Sequence, residues 1–355
     1  MALLYAETMV SFVAKAPMRL DLLLVKEEGV RSRAEAQRLI EAGLVRVRGR
    51  VVKKSSCSVR VGDCVEYDGP VAQSHGSALQ RIEIRDLHLP ILYEDDACLV
   101  INKPVGFAVR PGAGMKPETV TLLCGIAHLF QERGFPFEQD AVLAHRLDKD
   151  TTGCLLLAKT SLVHQALQRQ FAERRVRKMY LALVAGIPEH PRAIIDAPIG
   201  RHPVRRTQMT VVGGRGSREA RSTYEVLAEG KECSLLQCDL ATGRTHQVRV
   251  HLTAIGHPIL GDRTYRNAAS DHLREQYSIP SLCLHAWKLA FISPADQREH
   301  EVVAPLPSPF RDILKRMEIV FPLPDFASRH TGSPLPDESE AAFGASLEPD
   351  GSGFR

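Results

Sequence analysis

The densest set of titratable side chains next to an apolar run is Ala144-His145-Arg146-Leu147-Asp148-Lys149-Asp150-Thr151-Thr152-Gly153, directly ahead of Cys154-Leu155-Leu156-Leu157. A carboxylate held against a core strand can add to an electrophilic carbon, stabilise a developing cation or move a proton. Asp148 and Asp150, two residues apart, compete for that work. A calcium loop is one alternative, since Asp148-x-Asp150-x-Thr152-Gly153 follows its ligand spacing. The match fails at the twelfth position, where Lys159 stands in place of a bidentate glutamate. A structural turn is another, with Asp148 as a cap and Gly153 supplying a positive φ. The stretch alone leaves the catalytic and structural readings open.

The elements that must position these residues show in the apolar spacing. Strand signals fall at Ile91 to Tyr93, Cys98 to Ile101, Cys154 to Ala158, Tyr180 to Val184, Ser222 to Leu227, Cys233 to Leu240 and Leu284 to Ile292. Helical spacing is clearest over Ser161 to Arg174 and over Thr245 to Ile255, ahead of Gly256. Strands outnumber helices, and several follow one another at hairpin distance. This predicts an α+β domain with a mainly antiparallel sheet over 89–322.

Upstream, 18–67 predicts a small α/β module. Its helices run over Leu20 to Glu28 and from Ser32 to Gly43, with Ser32 and Glu35 as a capping box, and its strands lie around Leu44 to Arg48 and Val59 to Tyr67. Residues 1–17 read as an N-terminal extension, with Met9 or Met18 as alternative starts. The segment 68–88 reads as a linker, because its first part is rich in Gly, Pro, Ser and His. Residues 323–355 turn to Pro, Ser, Gly, Asp and Glu, which cannot bury enough apolar surface to order themselves; a disordered tail is expected.

Over 355 residues the formal net charge is +4, too mild to identify a polyanion partner unless the charge is clustered. It is clustered: Arg31, Arg33, Arg38, Arg46, Arg48, Arg50, Lys53 and Lys54 face only Glu35 and Glu41 in the same stretch. On charge alone this is a solvated face as readily as an RNA contact. The eight cysteines include no Cys-x-x-Cys pair, which predicts buried reduced thiols. With no run of 18 apolar residues, a cytoplasmic protein without membrane contact is expected.

Several separated blocks resemble one family. His145-Arg146-Leu147-Asp148 with Thr152-Gly153 is similar to the signature of the RluA/RluD-type pseudouridine synthases. So are Asn102-Lys103-Pro104-Val105-Gly106, Lys178-Met179-Tyr180, Thr242-Gly243-Arg244-Thr245-His246-Gln247-Val248-Arg249 and Gly256-His257-Pro258-Ile259-Leu260-Gly261-Asp262. Arg110 and Thr152 depart from the residues usual there. The 18–67 module resembles the RNA-binding module shared by a ribosomal small-subunit protein and bacterial tyrosyl-tRNA synthetases.

The resemblance implies an enzyme that isomerises uridine to pseudouridine without cofactor or metal, with Asp148 as the catalytic carboxylate. It further implies Arg244 beside that carboxylate and Tyr180 stacked on the target base, sharing in the final proton removal. Arg146 would fill the gap left by the flipped base, with Lys103 among the RNA contacts. In the module, Arg31, Arg33, Arg38, Arg46 and Arg48 would meet RNA phosphates. The expected partner is 23S ribosomal RNA or a pre-50S particle, and the expected state is a monomer. Transfer RNA as substrate and a non-catalytic assembly factor are the alternatives.

Overall fold

The computed structural model describes residues 9–26, 30, 33–68, 83–112, 115–116, 119–205 and 207–321. Arg31, the Ser32 capping box, residues 69–82 of the expected linker and the 323–355 tail lie outside them. The chain divides into two compact units, Met1–Arg81 and Ile82–Arg355.

In the first unit, helices Leu20–Lys26 and Arg33–Glu41 accompany a four-stranded antiparallel sheet in the order Met9–Val13, Cys64–Asp68, Val45–Val47, Arg50–Val51. Met9–Val13 lies in the stretch expected to be an extension. It pairs along Cys64–Asp68, and its Val10 and Phe12 pack against the unit's own core of Leu20, Leu24, Ile40, Val45 and Tyr67. The two helices are tied through the buried carboxylate of Asp21. It accepts from Arg19 Nε and Nη2 (3.0 and 2.9 Å), Arg33 Nε (2.9 Å) and Gln37 Nε2 (3.2 Å). Burial opposes the charge, but these donors overcome it and bring the pKa of Asp21 down to about 2.

The second unit is built on a mixed sheet. Its order is Arg192–Asp196, Arg221–Glu229, Cys233–Leu240, Arg177–Ala185, Leu284–Ile292, Thr152–Ala158, Cys98–Lys103, Ile91–Glu94, with Glu299–Val303 also paired to Leu284–Ile292. All pairings are antiparallel except the short contact of Leu284–Ile292 with Thr152–Ala158. Both faces are covered. Leu99, Ile101, Leu155 and Leu157 join the larger core with Leu122, Ile126 and Phe130 of helix Leu122–Glu132. Cys98, Val100, Cys154 and Leu156 join a second core with Leu167 of helix Ser161–Ala172. Burial on both faces is why these strands read as continuous apolar runs. Helix Leu122–Glu132 lies beyond the elements that the apolar spacing predicts: residues 122–127 are all buried, and its polar side chains fall only in its second half, at His128, Gln131 and Glu132. All eight cysteines are free, and Cys98, Cys124, Cys154, Cys233, Cys238 and Cys283 are buried.

Candidate active site

Asp148 lies on the loop that feeds strand Thr152–Ala158. The loop turns through a hydrogen bond from Thr151 N to Asp148 O (3.2 Å). Lys103, at the end of strand Cys98–Lys103, is fully buried, and its Nζ donates to the carbonyls of Pro104, Lys149 and Thr151, each at 2.9 Å. Gly106 N adds a bond to Lys149 O (3.1 Å). The Asn102 to Gly106 block therefore clamps the backbone on which Asp148 stands. Burial draws the Lys103 pKa down to about 8, against the pull of Asp150 and Asp148. At the far end of the loop Gly153 has φ +109°, and a Cβ there would come within 2.2 Å of Ala286 O. Only glycine permits that approach.

The side chain of Asp148 accepts from Arg249 Nη1 (3.0 Å). Arg249 stands on helix Gln247–Ala254 and turns its other donors to Asp262: Nε at 2.7 Å and Nη2 at 3.0 Å. Asp262 is held by the backbone N–H groups of Thr264 and Tyr265. Burial works against the Arg249 charge, but the hydrogen bonds and charges of Asp262 and then Asp148 raise its pKa. His246, the N-cap of that helix, has a left-handed backbone (φ 58°) and places Nε2 at 4.0 Å from Asp148 Oδ2, with Nδ1 at 2.8 Å from the Tyr265 hydroxyl. Gln247 anchors the helix start: its Oε1 accepts from Thr242 Oγ1 and Arg244 N, and its Nε2 donates to Arg221 O and Ser222 Oγ.

Tyr180 enters from strand Arg177–Ala185. It pairs with Ala286, which on its other side pairs with Gly153, so two strand spacings, roughly 10 Å, separate its backbone from the end of the Asp148 loop. Burial first, and then the charge of Asp148, raise the Tyr180 pKa. The side chain is therefore a neutral phenol. Its hydroxyl makes no hydrogen bond with the described residues. Arg146 and Asp150 are exposed. His145 is turned inward: its Nε2 accepts from Leu156 N (3.0 Å), its ring lies 5.1 Å from that of Phe171, and burial lowers its pKa to about 3.

The profile of the RNA pseudouridylate synthase family matches residues 97–254, which contain Asp148, Tyr180 and Arg249. That of the S4 domain matches residues 18–65. The chain is 35% identical over 307 residues to ribosomal large subunit pseudouridine synthase D of Zymomonas mobilis, covering 85% of this chain and 94% of the relative. This chain belongs to the RNA pseudouridine synthase family. The same-named protein of Nitrosomonas europaea is 37% identical over 302 residues, covering 84% of each chain. Among solved structures, human RNA pseudouridylate synthase domain containing 1 superposes with a TM-score of 0.53 at 29% identity, over 72% of this chain and 94% of that one.

Two expectations about this pseudouridine synthase are corrected by the geometry. Arg244 is not the cation beside Asp148: its Nε donates to Glu219 O (2.8 Å), and the position is filled by Arg249, five residues on. Lys103 is not placed to meet RNA, because all three of its protons are spent inside the protein. In the S4 unit, Arg33 and Arg48 are partly engaged with Asp21 and Asp63, Arg46 is exposed, and Arg38 sits in the last turn of its helix. Arg249 and Asp262 both lie within the blocks that resemble the family. Their opposite charges were the available signal, but thirteen residues of separation hid the pairing.

Proposed function

We propose that this synthase modifies uridines of large-subunit (23S) ribosomal RNA in the cytoplasm, as part of ribosome biogenesis, with Asp148 as its catalytic carboxylate. The observation that carries the assignment of Asp148 is its chain of contacts: Asp148, partly exposed, is bound by Arg249, which is in turn fixed by buried Asp262. A carboxylate so oriented assists rupture of the bond from uracil N1 to ribose C1′. The freed uracil turns to present C5, the C5–C1′ bond forms, and the C5 proton is lost while N1 gains one; the product is an isomer, so no electrons are exchanged. Tyr180 supplies a ring against the base and a phenol hydrogen bond. A phenolate base is disfavoured there, because burial and the charge of Asp148 both resist its ionisation. The S4 unit and exposed Arg146 supply RNA contacts. The ribosomal target follows the names of the bacterial relatives.

Tritium release from RNA labelled at uridine C5 tests this. The wild-type protein is expected to release tritium from 23S ribosomal RNA and not from transfer RNA, and Asp148→Asn to release none while retaining its fold and its RNA affinity. Release from transfer RNA alone would reassign the substrate. Full activity in Asp148→Asn would remove the carboxylate from the mechanism.

A further inference from the structure

We infer that Lys178 and Arg244 together seat a phosphodiester of the bound RNA beside the Thr242 to Arg244 turn. The inference rests on the assignment of an RNA substrate above and adds a site to it. Lys178 lies two residues before Tyr180 on strand Arg177–Ala185, just before an irregularity in that strand's pairing with Leu284–Ile292. Its Nζ is 3.5 Å from Thr242 O, at the limit of a hydrogen bond, and 5.8 Å from the centre of the Phe171 ring. No carboxylate among the described residues lies within ion-pair distance of it. Gly243, the exposed middle of the turn, leaves open backbone in front of the ammonium: a Cβ there would stand 3.8 Å from Nζ.

Arg244 completes the seat. It too is without an ion pair among the described residues, spending Nε on a backbone carbonyl. Burial first, and then the charge of Arg218, lower its pKa; Arg174 acts in the same direction, against Glu219. Burial and the charge of Arg244 bring Lys178 down to about 8. Arg244 thus stands close to Arg174, Arg218 and Lys178, with Glu219 the one opposing charge, and Glu219 is already bonded to Arg174 at 3.2 Å. Two inward cations are fully engaged by contrast: Arg249 lies between two carboxylates and Lys103 meets three carbonyls. A half-buried lysine left next to another cation costs the empty protein stability, and an arriving anion removes that cost. A phosphodiester supplies one charge and two accessible oxygens, and it arrives attached to the nucleotide that Tyr180 receives.

The test compares wild type, Lys178→Met, Lys178→Arg and Arg244→Gln on a 23S ribosomal RNA transcript. The readouts are affinity across a salt series, single-turnover rate at saturating RNA, and thermal melting without RNA. Lys178→Met is expected to bind roughly tenfold more weakly at low salt, with the slope of log affinity against log salt smaller by about one. It should react at a near wild-type rate once saturated and melt no lower than wild type. Lys178→Arg should restore affinity and slope, and Arg244→Gln should reproduce the loss. Unchanged affinity and slope in Lys178→Met would overturn the seat, as would a lower melting temperature or failure to fold. A wild-type protein that binds with these slopes but makes no pseudouridine would retain the seat and fail the proposed reaction.

Discussion

Arg249 divides its donors unequally: two go to Asp262, which is fully buried, and one to Asp148, which is partly exposed. Asp262 thus sets the guanidinium plane, and the plane sets the direction from which Asp148 is held. Replacing Asp262 with Asn removes the charge that fixes Arg249 while leaving Asp148 untouched. Misplacing a reacting group by an ångström costs on the order of 100-fold in rate, and single-turnover kinetics of Asp262→Asn at saturating RNA should show a loss of about that size. A loss expressed only as weaker RNA binding would contradict the positioning role. His246 contributes at the same scale, since its left-handed backbone lets one ring reach both Tyr265 and the neighbourhood of Asp148.

At the scale of the element, the site depends on a close approach between two strands. Thr152–Ala158 and Leu284–Ile292 meet through His285 opposite Thr152 and Ala286 opposite Gly153. Gly153→Ala drives a methyl group into a carbonyl oxygen at 2.2 Å, at a φ of +109°. The substitution should destabilise the catalytic unit by about 3 kcal/mol or more, measured as a shift in the urea midpoint. Beside this joint, His285 Nδ1 lies 2.8 Å from the Thr152 hydroxyl and its Nε2 3.2 Å from Ala304 O. Burial depresses the pKa of His285 to about 4 and that of His145 to about 3. A folded-state pKa below the unfolded value of 6.5 means that the unfolded chain binds protons first as pH falls. The stability contributed by these neutral rings is complete above about pH 6.5 and is lost progressively toward pH 4 and 3, at no more than about 1.4 kcal/mol per pH unit for each ring. Urea midpoints measured between pH 7 and pH 4.5 should decline, and His285→Gln should flatten the decline.

At the scale of the whole molecule, each unit has its own core: one around Leu24, Ile40 and Tyr67, the other across both faces of the large sheet. The described residues include no helix long and apolar enough to cross a membrane. Separate cores predict that a chain beginning at Ile82 folds on its own. That chain should lose RNA affinity and part of its salt dependence, because the Arg-rich S4 unit is gone, while its single-turnover rate on a short saturating RNA stays near wild type. Undiminished affinity in a salt titration would exclude the S4 unit from RNA binding.

The apolar runs at 98–101, 154–158, 180–184 and 284–292 determined the strands by themselves, because burial on both faces leaves little room for polar residues. The ordered blocks around Asp148, Tyr180 and His246 likewise marked the family and the loop that bears the carboxylate. Sequence could not decide which cation meets Asp148. Arg244 and Arg249 are both close to His246 in the chain, and only the helix beginning at Gln247, with Asp262 docked against it, turns Arg249 inward. Nor could it tell that Lys103 is sealed inside while Lys178 meets no carboxylate among the described residues, since a lysine's partners are set by backbone brought from distant segments. Residue type states what charge is available, and tertiary structure decides whether that charge is satisfied within the protein or left for RNA.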